Sequence, residues 1–111
     1  MQTYSGSCHC GKVKFEVTAD ISRGGVCNCS ICHRVGWTMI SVPTAQFHLI
    51  AGEDAQADYQ FGPRTMHHLF CTTCGIHAYG MWGDKAIVNL RCLDGVDLDA
   101  LAVDRFDGKS Y

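Results

Sequence analysis

Seven of the eight cysteines in this 111-residue chain fall into three short clusters: CHC at Cys8 and Cys10, CNCSIC at Cys27, Cys29 and Cys32, and CTTC at Cys71 and Cys74. Sulfurs gathered by a metal or by disulfides dictate which distant segments must touch, so this pattern constrains the fold before any periodicity is read. The residues ahead of the first cluster, MQTYSGS, carry neither the basic stretch nor the apolar core of a secretory signal. The expectation is a cytoplasmic chain with reduced thiols, where clustered cysteines bind metal. A disulfide framework is the alternative, should a leader have been removed ahead of Met1.

Composition excludes several classes of function. With 18% charged residues and a formal net charge of −2, the chain lacks the broad basic surface that nucleic acid or an anionic membrane would require. No run approaches the ~18 apolar residues of a membrane helix. The length predicts a single domain over residues 1–111. A core of that size is modest, so a metal staple would add materially to its stability.

The hydrophobic pattern predicts an all-β fold. Lys12 to Thr18 (KVKFEVT) alternates apolar and polar residues, placing Val13, Phe15 and Val17 on one face. Further strands are predicted at 37–42 (WTMISV), 47–50 (FHLI), 58–61, 66–70, 77–79 and 86–90, with turns at 19–25 (ADISRGG) and 51–54 (AGED). Only 96–103 (VDLDALAV) is predicted to hold a helical turn or two, with Asp97 as its N-cap.

Metal-ligand arithmetic then allocates the cysteines. Zinc favours four thiolates in a tetrahedron. Cys8 and Cys10, at i and i+2 ahead of an alternating strand, present two sulfurs together if that stretch is extended. CTTCG is a metal knuckle in which Gly75 permits the positive φ of a tight turn. Cys8, Cys10, Cys71 and Cys74 therefore make a complete, structural four-cysteine site. Cys27, Cys29 and Cys32 remain, and three protein ligands with an exchangeable fourth position are the arrangement of catalytic zinc. Closure of that site by Cys92 or His77 is the competing reading, and it would make both metals structural. An isolated Cys92 otherwise reads as a small buried hydrophobe.

Around the trio, His33 is the candidate for proton transfer, since a free imidazole titrates near ~6.5. Arg34 and the backbone N–H groups from Asn28 to His33 are candidate donors to the sulfurs. His67 and His68 face opposite ways if the segment is a strand, and both are expected in packing or solvent roles. Trp37, Tyr79, Trp82 and Phe106 either line a cleft or belong to the core, the commoner fate of aromatics in a small β domain.

The segments GSCHCGKVKFEV, CNCSICHRVG, HLFCTTCGIHAY and VNLRCLDGVDLDALAVDRFDGKSY together resemble the glutathione-dependent formaldehyde-activating enzyme family, whose domain is shared with centromere protein V. The resemblance implies an Mss4-like, largely antiparallel β fold. It also implies two zinc ions per chain: a structural one on Cys8, Cys10, Cys71 and Cys74, and a catalytic one on Cys27, Cys29 and Cys32. The activity implied is that of a carbon–sulfur lyase, which joins formaldehyde and glutathione into S-hydroxymethylglutathione or runs the reverse. At 111 residues the chain is shorter than those enzymes, so the expected partner is a small thiol, of which glutathione is the family's example. The alternative is a non-catalytic, zinc-stapled protein-binding module on the same fold, a choice that fold alone does not make.

Overall fold

The computed structural model describes residues 1–110; Tyr111, the last residue of the family-like closing segment, lies outside them. In chain order the elements are β1 (Gln2–Ser7), β2 (Lys14–Ala19), β3 (Arg23–Cys27), α1 (Ser30–Val35), β4 (Met39–Pro43) and β5 (Phe47–Ala51). They continue as β6 (Gln56–Tyr59), β7 (Met66–Cys71), β8 (Tyr79–Trp82), β9 (Lys85–Asn89) and β10 (Ala102–Phe106). The fold is mostly β with one short helix, as the pattern predicts.

The alternating strand β2 organises the smaller sheet. Phe15, Val17 and Ala19 are buried while Lys14 and Glu16 are exposed, so one face is committed to a core. It pairs antiparallel with β1 on one side and β5 on the other. The second sheet runs β10-β3-β4-β9-β8-β7-β6, with β9 at its centre. Ala86, Ile87, Val88 and Asn89 of β9 are all buried, as a strand covered on both faces requires.

The sheets meet through aromatic rings. Phe15 stacks on Phe47 at 5.2 Å between centroids, and Tyr79 from the larger sheet packs against both, at 6.0 and 4.6 Å. Burying each such ring is worth about 1.5–3 kcal/mol. Val13, Val17, Val42, Val88 and Leu90 fill the same layer. Tyr79 is therefore core.

The pairing is largely antiparallel, as expected, the exception being edge strand β10, which runs parallel to β3. Segment 90–101 is a crossover carrying two short 3-10 turns and bridged at Leu93 to Gly6, and it returns the chain in the direction of β9. Two expectations need correction. The predicted turn at 19–25 is a turn only in its first part. Arg23–Cys27 is a strand, and a Cβ on Gly24 or Gly25 would stand 2.6 Å from Thr38 Cγ2 or 2.8 Å from Phe106 Cε2. The second correction is α1, a six-residue helix that begins within the CNCSIC segment and runs to Val35, where none was predicted. The helical turn predicted at 96–103 is a 3-10 turn over Leu98–Ala100, and the Asp97 side chain caps it by accepting from Asp99 N at 3.1 Å. Among the described residues no helix is long and apolar enough to cross a membrane.

Candidate metal centre and cleft

Two cysteine groups converge, and they are those allocated from the sequence: Cys8, Cys10, Cys71 and Cys74 in one, Cys27, Cys29 and Cys32 in the other, with the sulfurs of each within 4.8 Å of one another. Both are built from strand ends and the connections beside them.

The four-sulfur group joins the β1–β2 connection to the β7–β8 connection, and therefore ties the small sheet to the large one. CHC is a turn rather than a strand, which corrects the extended geometry expected of it. The turn closes with Gly11 N donating to Cys8 O at 3.3 Å, and Cys8 Sγ accepts from Val13 N at 3.4 Å. CTTCG forms the predicted knuckle: Gly75 N donates to Cys71 O at 2.8 Å, Thr73 N to Cys71 Sγ at 3.4 Å, and Gly75 has φ of 78°. Lys12 Nζ bridges the two turns by donating to Thr73 Oγ1 at 3.0 Å.

Cys10 Sγ lies 3.6 Å from both Cys8 Sγ and Cys71 Sγ. A tetrahedron with metal–sulfur bonds of ~2.3 Å has edges of about 3.8 Å, so these sulfurs fit a tetrahedral thiophilic ion. Backbone N–H groups of Cys10 and Ile76 draw the Cys74 thiol down to about 6, making it the readiest thiolate of the set. Cys92 stands beside this group and not beside the trio. Burial, reinforced by the negative charge of Cys8 and Cys74, pushes its thiol up to about 11, so it stays a neutral packing residue.

The three-sulfur group is local in sequence. Cys27 ends β3, Cys29 caps the start of α1, and Cys32 lies in the helix, which stops at Gly36. Cys29 N points at Cys27 Sγ at 3.5 Å. Burial opposes ionisation of Cys29, yet the N–H groups of Cys32 and Ile31 and the neighbouring thiols hold it below the ordinary thiol range. Burial, then the adjacent Cys29 and Cys27, push Cys32 up to about 12 against the pull of the Trp37 indole N–H. That N–H is buried with no hydrogen-bond partner: it is near enough to Cys32 to favour a thiolate but lacks hydrogen-bond geometry. A divalent cation would release the retained protons. Among the described residues no fourth Cys, His, Asp or Glu atom joins the group.

The chain's closing segment is fastened to this trio. Asn28 N donates to Phe106 O at 3.2 Å and its Nδ2 to Asp107 Oδ1 at 2.9 Å, while its Oδ1 accepts from Lys109 N at 2.9 Å. Ser110 Oγ, then Asn28, hold the Asp107 carboxyl below its usual range. The result lays Gly108 flat on the sulfurs, where a Cβ would stand 2.5 Å from Cys27 Sγ and 3.1 Å from Cys29 Cβ.

Two cavities open on the trio. One, of about 480 Å³, is lined by Cys27, Cys32, His33, Arg91, Arg105 and Asp107 among others. The other, of about 320 Å³, lies against Cys29 and Cys32 and is walled mainly by apolar side chains, with His68 at 4% exposure among them. Trp37 touches both cavities, and Trp82 and Phe106 each line one.

The structure therefore sorts the candidates. His33 is exposed on α1 and faces the first cavity. Arg34 turns away, with Nη1 donating to Ser30 O at 2.9 Å, so it is not a donor to the sulfurs. His67 is exposed and bonded to Asp58 at 2.5 Å, whereas His68 is turned inward beside the trio. His77 packs on Trp37 at 4.4 Å and on His68 at 5.4 Å, with both ring nitrogens buried and unpartnered. Burial, aided by His68, pulls the His77 imidazole down to about 4. His68 takes the packing role expected of it, against Tyr59, Phe61 and His77. Arg91, Arg105 and Gly108 are the site residues that sequence reasoning missed. Only the closing FDG offered a signal for any of them.

The model of the family described as glutathione-dependent formaldehyde-activating enzyme matches residues 3–103. The chain belongs to this family. A crystal structure of a Rhodobacter sphaeroides protein has the same architecture: 30% sequence identity, a TM-score of 0.81, and an alignment covering 90% of this chain and 99% of that one. The formaldehyde-activating family thus supplies the frame in which an open three-sulfur group beside two cavities is read.

Proposed function

We propose that this family member is a zinc-dependent carbon–sulfur lyase that makes and breaks adducts of a small thiol and an aldehyde beside Cys27, Cys29 and Cys32. The observation that carries the reading is the contrast in completeness: four sulfurs in one group, and three in the other with cavities opening on them. Thiolate-rich donors select a thiophilic ion such as zinc at both groups. When bound at the trio, zinc supplies Lewis acidity and lowers the pKa of a thiol that joins it.

The chain's own residues supply the rest. Three thiolates carry more negative charge than a divalent ion neutralises, and Arg91 and Arg105 on the cavity wall offset that excess. Among the described residues neither arginine is tied up in an ion pair, so both are available to bind a carboxylate on the incoming thiol. In the cleavage direction His33 accepts the hydroxyl proton of the hemithioacetal. The oxygen's electron pair forms the carbonyl, the C–S bond breaks, and its electron pair leaves on sulfur. In the forward direction His33 returns the proton to the alkoxide. Gly108 and the Asn28 strap hold the Cys27 and Cys29 side chains in place throughout.

Exchange NMR of hemithioacetal formation from 3-mercaptopropionate and formaldehyde tests this reading. Zinc-loaded protein is expected to accelerate exchange, and His33→Asn to lose about 10²-fold or more of that acceleration. No acceleration over zinc-free protein would refute the assignment.

A further inference from the structure

The two cavities beside the trio differ in chemistry, and that difference points to the substrate. The first carries Arg91, Arg105 and His33. The second is lined by Cys29 and Cys32 and by a mainly apolar wall that includes Ile31, Trp37, Phe61 and Trp82, with Thr65 and His68 its polar members. We infer that the second cavity receives an apolar substituent on the aldehyde carbon, so that the preferred adduct derives from an aromatic or branched aliphatic aldehyde rather than from formaldehyde. This rests on the trio being the reaction centre.

Four observations carry it. Cys29 and Cys32 of the trio line the cavity, so a group seated there lies beside the proposed reaction centre. Its volume of about 320 Å³ is at the lower bound of small-molecule pockets and accepts a ring or short branched chain. Formaldehyde has no substituent and would leave it unfilled. Carboxylates are the wrong occupants, because against Phe61, Met66 and Ile87 they lose hydration and the lining holds no Lys or Arg, its polar side chains being Thr65 and the buried His68. The carboxylates that small thiols carry therefore go to the arginine side, which leaves the apolar side for the aldehyde.

Finally, Phe61 and Trp82 line this cavity while 41% and 58% exposed, large apolar surface that an occupant would cover. Such coverage favours binding by about 25 cal/mol per Å² removed from water.

The chain's two tryptophans, Trp37 and Trp82, both line this cavity, so intrinsic fluorescence reads its occupancy directly. The probe is 2-phenylethanol, an unreactive alcohol with the apolar group in question, titrated into the zinc-loaded full chain with ethanol as control. Saturable quenching or enhancement by 2-phenylethanol and none by ethanol is expected. In parallel, exchange with 3-mercaptopropionate is compared for phenylacetaldehyde and formaldehyde. The ratio of kcat/KM is expected to favour phenylacetaldehyde at least tenfold and to collapse several-fold in Trp82→Ser. That side chain is more than half exposed, so its replacement leaves the core intact.

Absence of saturable binding, or equal efficiency with both aldehydes, overturns the inference and leaves the lyase reading standing. Specific binding of 2-phenylethanol with no turnover of either adduct shows an apolar-ligand cavity but overturns the lyase reading, and with it the assignment of that ligand as an aldehyde substituent.

Discussion

The two cysteine groups offer the same ligand chemistry in different numbers, and they differ in where the sulfurs come from. Cys8, Cys10, Cys71 and Cys74 are drawn from connections more than sixty residues apart and clamp two sheets together. Cys27, Cys29 and Cys32 come from one strand end and the helix after it, so they hold together nothing that the chain does not already hold. An ion in the first group closes a long loop and adds to folding free energy. One in the second adds little stability but sits where cavities reach it.

Substitution of one ligand in each group gives the sharpest contrast. Cys71→Ser removes a fully buried sulfur from the inter-sheet clamp and is expected to abolish the cooperative fold, since structural zinc sites contribute on the order of 10 kcal/mol. Loss of the thermal transition in circular dichroism would register it. Cys27→Ser is expected to keep that transition within a few degrees, to lose one metal equivalent by mass spectrometry and to lose turnover. A comparable melt for both variants would erase the distinction.

A smaller effect is expected from Gly108→Ala. The added methyl must displace Cys27 Sγ, so affinity at the trio is expected to fall 10–100-fold while the other group is untouched. Competition with a chromophoric chelator resolves the two sites.

The smallest effect concerns His77. Its folded-state pKa of about 4 lies below the value of ~6.5 expected when unfolded. The unfolded chain therefore binds the extra proton first. Stability is at full strength above about 6.5 and falls, by at most ~1.4 kcal/mol per pH unit, as pH drops toward 4. His77→Phe is expected to flatten that part of the profile between pH 6.5 and 5 in denaturant melts, with the metals saturating. An unchanged slope would place the proton uptake elsewhere.

Legibility in the sequence followed the range of the interactions. Strand β2 was readable because Phe15, Val17 and Ala19 alternate with charged neighbours, a signal carried within six residues. The cysteine clusters were readable because ligand spacing within each is local, and counting four ligands to a tetrahedral ion joined CHC to CTTC across more than sixty residues. Strand β3 was not, because the paired glycines of RGGVC normally mark a turn; here they admit Thr38, Leu90 and Phe106, which come from elsewhere in the chain. Helix α1 is too short to show a period, and its start is set by Cys29 rather than by a side-chain cap. β1 is largely exposed and carries little hydrophobic pattern. Arg91, Arg105 and Gly108 reach the trio only through the crossover and the parallel β10–β3 pairing. No local reading supplies that pairing.

X-ray absorption at the metal edge, on protein purified without chelator, tests the central contrast most directly. Two ions per chain are expected, one held by four sulfurs and one by three sulfurs and a lighter exchangeable atom, with the light-atom shell replaced by sulfur when 3-mercaptopropionate is added. Two ions each enclosed by four protein ligands, unchanged by the added thiol, would contradict it.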